Sequence, residues 1–232
     1  MTETDKLGKA IEVVQKFSPS FKVILKKNSK LHRTIGWILS KIGNPDYMST
    51  FVTTLGQTTA LPNNCISGVP AGMWEIILHE GQHSQDAESV NNYVFGSLYL
   101  MPQLLGILGL FYGVVVGIAM LCGAPLALLW GLLALVFLAP LPALGRTYLE
   151  VRGYTISLAV GYWANDLGNT DEYIEWIVSI FTGPDYYYMF WPFKSIVRRH
   201  FRSVLTQLQT NNFIFNPYTL ACKNLANQIT SE

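Results

Sequence analysis

Trp74-Glu-Ile-Ile-Leu-His79-Glu80-Gly-Gln-His83-Ser-Gln-Asp86-Ala-Glu88 is the stretch whose reading decides the fold. It contains the pattern H-E-x-x-H. On a helix, side chains four residues apart point the same way, so His79 and His83 share a face. Two neutral imidazoles on one face can grip one Zn²⁺, and Glu80 then stands beside the metal, where it can take a proton from water. Apolar Trp74, Ile77 and Leu78 supply a buried side, so the pattern predicts a helix from about Ala71 to Tyr93. Gly81 costs ~1 kcal/mol relative to Ala in a helix. A residue that small lets a second backbone or a substrate come close.

Upstream, the chain divides by charge. Residues 1–43 carry nine Lys/Arg against three Asp/Glu, although the whole chain of 232 residues has a net charge of only +1. The near-neutral total gives no pull toward nucleic acid. The N-terminal stretch reads as one or two basic amphipathic helices over 5–42, broken at Ser18-Pro19-Ser20, with Ile11, Val14, Phe17, Ile35 and Leu39 at helical spacing. Such helices suit a solvated face or an anionic membrane surface. The polar start Met1–Lys6 predicts no secretory leader, and three scattered cysteines without C-x-x-C predict no disulfide framework. Gly43-Asn-Pro-Asp46 is a turn. Ser49–Leu61, rich in Thr, Val and Phe, reads as a strand. A strand directly before the metal helix offers an extended peptide an edge to pair with.

Downstream, no charged residue occurs between Glu88 and Arg146, a run of 57 residues. Leu98–Leu121 and Ala124–Leu141 are each ~18–24 residues of apolar sequence, enough to cross a ~30 Å hydrocarbon core. Gly109-x-x-x-Gly113-x-x-x-Gly117 sets three glycines on one face, the close-packing pattern of membrane helices. Tyr93, Tyr99 and Tyr148 fall near the expected water interfaces. The expectation is a two-helix transmembrane hairpin over 94–144, its tip at Cys122–Pro125. Two crossings return the chain to the side it left. With the basic N-terminus, Arg146, Arg152 and Arg198 all on that side, the positive-inside rule makes it cytoplasmic.

Two histidines are one ligand short of a catalytic zinc site. His32 and His200 each sit in a basic helix and read as surface residues. Asp86, three residues past His83, can ligate or support a histidine, whereas Glu88 is off the metal face. Glu150 is preferred because it comes from a separate helix, Arg146–Leu158, immediately after the hairpin. Tyr154, one turn on, can donate a hydrogen bond to a developing oxyanion or buttress Glu150. Beyond it, Asp171–Phe181 and Lys194–Leu208 read as amphipathic helices, Thr182–Phe193 as an aromatic loop, and Asn211–Glu232 as a peripheral tail.

A strand, then His79-Glu80-x-x-His83, an apolar hairpin, and a helix bearing Glu150 and Tyr154 together resemble the gluzincin peptidases. The closest pattern is the membrane-bound branch of CAAX prenyl proteases and the bacterial heat-shock membrane protease. The resemblance covers roughly residues 47–165. It implies zinc bound by His79, His83 and Glu150, with Glu80 activating water to hydrolyse peptide bonds. The chain departs from that branch in three respects. No apolar hairpin precedes the motif, Tyr154 stands where Asp is usual, and the whole is short, which also fits a minimal gluzincin of phage type. The expected fold is mainly α (α+β). It has a zincin-like helical core with a small edge-strand sheet over 44–232, basic amphipathic helices over 1–43, and the hairpin inserted at 94–144. The expected partners are a peptide or protein substrate and the lipid bilayer. The competing expectations are a non-enzymatic membrane-inserting protein with a structural or vestigial zinc site, and a soluble scaffold with unusually apolar helices.

Overall fold

The computed structural model describes all residues except 42–44, 67, 124, 140, 185–187 and 232. It is mainly helical with one small sheet. In chain order the elements are α1 (Glu3–Phe17), β1 (Lys22–Leu25), α2 (Lys30–Lys41), β2 (Thr53–Leu55), β3 (Thr58–Leu61), α3 (Met73–Val90), α4 (Asn92–Leu100) and α5 (Gln103–Leu121). A 3₁₀ segment (Leu126–Leu138) follows, then α6 (Leu144–Trp163), α7 (Thr170–Thr182), α8 (Lys194–Gln209) and α9 (Pro217–Ser231). The chain forms two compact units.

The first unit comprises Met1–Phe95, Val151–Thr170 and Ser203–Glu232. Its centre is α3, buried on more than one side: Trp74, Ile77 and Leu78 face the same core as Leu7, Ala10 and Val14 of α1, Ile156 and Val160 of α6, and Tyr218 and Cys222 of α9. Each such aliphatic or aromatic side chain contributes ~1.5–3 kcal/mol on burial. A capping box starts α1: Thr2 accepts from the Asp5 amide while the Asp5 carboxylate accepts from the Thr2 amide.

Three expectations change here. The strand expected over 49–61 is a hairpin. Thr53–Leu55 and Thr58–Leu61 pair antiparallel around Gly56-Gln57, and Gly56 at φ +60 takes the left-handed first position that a two-residue turn demands. The stretch read as continuous helix around 22–25 is β1, which pairs parallel with β3 and completes the sheet order β1-β3-β2. Within residues 1–43, β1 is thus a sheet strand and α1 packs in the core. Finally, the tail expected to be peripheral contains α9, whose Tyr218, Cys222, Leu225 and Ala226 are buried. An apolar stripe reports that a face is covered but not by what, which is why sequence alone misjudged α1 and α9. Part of the turn expected at 43–46 lies outside the described residues.

The second unit comprises Gly96–Glu150 and Asp171–Arg202. Within it α5 lies along the 126–138 segment. Cβ atoms built on Gly109 and Gly113 would meet Ala134 and Leu132, so two of the three glycines lie against the neighbouring segment as their spacing predicts; Gly117 has open space. Tyr112 donates to the Leu128 carbonyl at 2.8 Å. The described part of the second apolar stretch is a 3₁₀ segment, not the α-helix expected over 124–141. The apolar stretch expected from Leu98 is also interrupted, since α4 ends at Leu100 and α5 begins at Gln103. Elsewhere in this unit, the Ala143 amide donates to the Met189 carbonyl at 2.7 Å, Phe181 packs edge-on against Phe201, and Arg198 pairs with Glu175. Of the aromatic loop expected over 182–193, residues 185–187 lie outside the described residues.

Candidate metal centre

On α3 the helical repeat does what the spacing predicts. His79 and His83 direct their Nε2 atoms at one point, 3.1 Å apart, with the rings edge-to-face at 4.9 Å. Both are buried, at 7% and 5% exposure. Phe95 stands edge-on to His83.

The other wall is α6. Gly153 brings its backbone against His79: a Cβ there would sit 2.6 Å from Nε2 and 2.7 Å from Cε1. Tyr154, also buried, packs its ring edge-to-face on His79 at 4.7 Å. Ser157 Oγ is 3.0 Å from His79 Nδ1 and 3.4 Å from the Gly153 carbonyl. The hydroxyl has one proton to give. Given to the Gly153 carbonyl, it leaves a lone pair to accept Nδ1–H, which fixes His79 in the tautomer whose Nε2 carries a lone pair. That lone pair faces His83 Nε2. At this distance His83 Nε2 either donates an N–H to that lone pair or, carrying a lone pair of its own, shares a cation with it.

Glu150 precedes Tyr154 by one turn on α6 and is the most buried acid of the site, at 1% exposure. Ligand atoms of His79, His83 and Glu150 all lie within 4.8 Å of one another, and the three together could hold a metal ion. Tyr99 donates to Glu150 Oε1 at 2.6 Å. Tyr99 is itself held by Arg146, whose Nε donates to its carbonyl at 2.7 Å and whose guanidinium lies over its ring at 5.2 Å. Tyr99 thus belongs to the centre, a contact that the sequence did not suggest.

Asp86, the alternative ligand, is spent elsewhere. It takes both prongs of Arg152, at 3.2 and 2.9 Å, and a hydrogen bond from Gln82 at 2.9 Å, which ties α3 to α6 beside the histidines. His32 bonds the Tyr47 hydroxyl at 2.7 Å, and burial, with the Lys26 charge, holds its pKa down. It is buried, where sequence suggested a surface residue. His200 packs edge-on to Phe201 on α8. Glu88 accepts from Ser18 and Ser20. Glu80 is half-buried, and its charge is among the causes, after burial, that raise the Tyr218 phenol well above its ordinary range. Gly81 is small for a reason other than substrate access: a Cβ there would strike the Tyr218 hydroxyl and Val14, and Tyr218 donates to the Leu78 carbonyl at 2.6 Å.

Four contributors were not anticipated: Tyr99, Gly153, Ser157 and Arg152. Gly153 carried the one usable signal, a poor helix former held between Glu150 and Tyr154. At the opening of α3, Glu75 is half-buried near Asp166; burial first, then the Asp166 charge, pushes its carboxyl up to about 7. No protein-family model, curated protein or solved structure matches this chain.

Proposed function

We propose that this chain is a membrane-anchored zinc endopeptidase of gluzincin type. The observation that carries the reading is the buried His79, His83 and Glu150 group, with Glu80 next to His79 in the chain on α3. Two imidazoles and a carboxylate are the donor set of catalytic zinc sites that keep one position open. The 3.1 Å between the two Nε2 atoms is close to the ~3.3 Å that separates donors each ~2.0 Å from one tetrahedral centre. The Ser157 hydrogen bond to His79 and the Tyr99 hydrogen bond to Glu150 are supports of the kind that orient metal ligands.

When bound, a zinc ion supplies the Lewis acidity that polarises the scissile carbonyl and lowers the pKa of the attacking water. Glu80 takes the proton as the water oxygen bonds to the carbonyl carbon. It then passes that proton to the leaving amine as the C–N bond breaks. Tyr154 supports the carbonyl oxygen as charge develops on it. The substrate main chain pairs with β2: in the order β1-β3-β2 the central strand has both sides occupied, and among the described residues no strand lies on the outer side of β2.

The membrane part of the reading rests on α5 and the 126–138 segment. α5 is long and apolar enough to span a bilayer. At ~1.5 Å per residue it reaches ~28 Å. The 3₁₀ segment, at ~2.0 Å per residue, reaches ~26 Å in fewer residues and still bonds its own backbone, as a lipid environment requires. Phe111, Val114, Val115, Ile118, Trp130 and Leu133 all point outward and are exposed. A soluble chain rarely shows so much contiguous apolar surface. The chain then leaves and re-enters on one side, and the excess of Lys and Arg around the hairpin makes that side cytoplasmic.

A second reading, a membrane-inserting protein with a structural metal site, draws on the burial of all three donors, at 7%, 5% and 1% exposure. The two separate in one experiment on detergent-purified protein, with zinc content and cleavage of a mixed peptide library as readouts. The peptidase binds about one zinc per chain and cleaves. Glu80→Gln keeps the zinc and loses cleavage, and Glu150→Ala loses the zinc. Full zinc in Glu150→Ala removes Glu150 from the ligand set; bound zinc without cleavage by the wild type favours the structural site.

A further inference from the structure

We propose that the outer face of α2 is a docking surface for the anionic headgroups of a lipid bilayer. The inner face of α2 is fully engaged. His32 bonds the Tyr47 hydroxyl, and Gly36 sits where a Cβ would press on the Met48 side chain at 2.7 Å. Beneath them Lys26 donates to the Tyr47 carbonyl at 2.6 Å and lies under its ring. The outer face has the opposite character. Leu31, Trp37 and Ile38 are 56%, 65% and 47% exposed. Lys27, Lys30, Arg33 and Lys41 are exposed around them, and α2 contains no acidic residue. Lys30, Arg33, Thr34 and Trp37, at i, i+3, i+4 and i+7, line one shallow open groove.

The contrast with α1 narrows the inference. Both helices are basic and amphipathic, but α1 buries Leu7, Ala10, Val13 and Val14 in the core with α3 and α9. It has no apolar face left to insert. α2 keeps three large apolar side chains outward among four cations. An acidic protein surface without a matching apolar patch would meet the cations and leave Leu31, Trp37 and Ile38 in water. A bilayer takes both: headgroup phosphates meet the cations, the indole sits at the interface, and the aliphatic chains enter the acyl boundary.

The test uses the full chain and a local readout. The emission of Trp37 is isolated as the difference between wild type and Trp37→Phe, since the chain has six Trp. Protein is added to vesicles with brominated acyl chains, made of phosphatidylcholine alone or with phosphatidylglycerol. The Trp37 component is quenched and blue-shifted with phosphatidylglycerol and recovers in about 1 M salt, where screening falls to ~3 Å. Lys30→Gln with Arg33→Gln lowers the docked-to-undocked ratio about 25-fold, about fivefold per cation, with circular dichroism unchanged. Equal Trp37 emission in both lipid mixtures, or none of it quenched, overturns the proposal. Retention of the protein on vesicles at high salt reports the hairpin separately. Phosphatidylglycerol-dependent quenching of Trp37 in a protein that salt strips entirely from vesicles supports α2 docking while removing the transmembrane hairpin.

Discussion

At the scale of single residues, the centre depends on side chains that bind no metal. Gly153 is the sharpest case. Ala in its place improves helix propensity by ~1 kcal/mol, yet puts a methyl 2.6 Å from His79 Nε2. Gly153→Ala is therefore expected to lose bound metal while the metal-free chain changes stability by less than about 2 kcal/mol. Metal analysis together with thermal unfolding in chelator separates the two effects; retained metal would mean that His79 can give way. Tyr99→Phe deletes only the hydroxyl that donates to Glu150 and should weaken metal binding about 10- to 100-fold with the fold intact, read by competition with a zinc-chelating dye. The histidines were legible because helical geometry converts a spacing of four into a shared face. Glu150 was legible because the site needed one more ligand and a second helix offers better reach. Tyr99 and Ser157 were not: they meet their partners across 51 and 78 residues of chain, and no local periodicity encodes such a meeting.

At the scale of elements, α3 is tied to α6 and to the turn that follows it. Arg152 of α6 grips Asp86, and Glu75 meets Asp166 just past the end of α6. The second tie fixes a pH dependence. Burial and the Asp166 charge push the Glu75 carboxyl from 4.5 up to about 7. Between those values the folded chain holds a proton that the unfolded chain has released, so stability falls as pH rises through the window. Glu75→Gln cannot lose that proton. It should flatten the decline and be more stable than wild type at pH 8 by about 1–3 kcal/mol. Denaturant unfolding in chelator from pH 5 to pH 8 measures the difference between the two proteins, in which titrations not coupled to Glu75 cancel. A difference that does not grow with pH would refute the assignment. The elements themselves were read unevenly from sequence. α3, α7 and α8 stand close to their expected bounds because periodicity and flanking breakers agree. The sheet was half seen: Leu55-Gly56-Gln57 is a turn signal inside an otherwise uniform β-rich run, and Val23 and Ile24 fit a strand as well as a helix.

At the scale of the whole molecule, a single charge distinguishes the solvents that α5 can meet. Phe111 lies near the middle of α5 and is exposed. If α5 crosses a bilayer, Phe111→Lys puts an ammonium near the midplane at a cost of about 2.5–3.5 kcal/mol, a loss of roughly 100-fold in insertion. If α5 is instead a water-facing helix, the same change removes an exposed aromatic ring and should raise solubility. The two environments thus predict opposite signs for one substitution. Leu220→Lys on α9, also exposed, controls for added charge and should shift stability by no more than about 0.5 kcal/mol. The carbonate-resistant fraction of membrane-expressed protein is the measurement. Loss of that fraction for Phe111→Lys with retention for Leu220→Lys is the outcome expected of a membrane hairpin. A wild-type protein that carbonate strips fully from membranes, or a Phe111→Lys protein recovered in larger soluble yield, would leave the metal centre standing and take away the anchor.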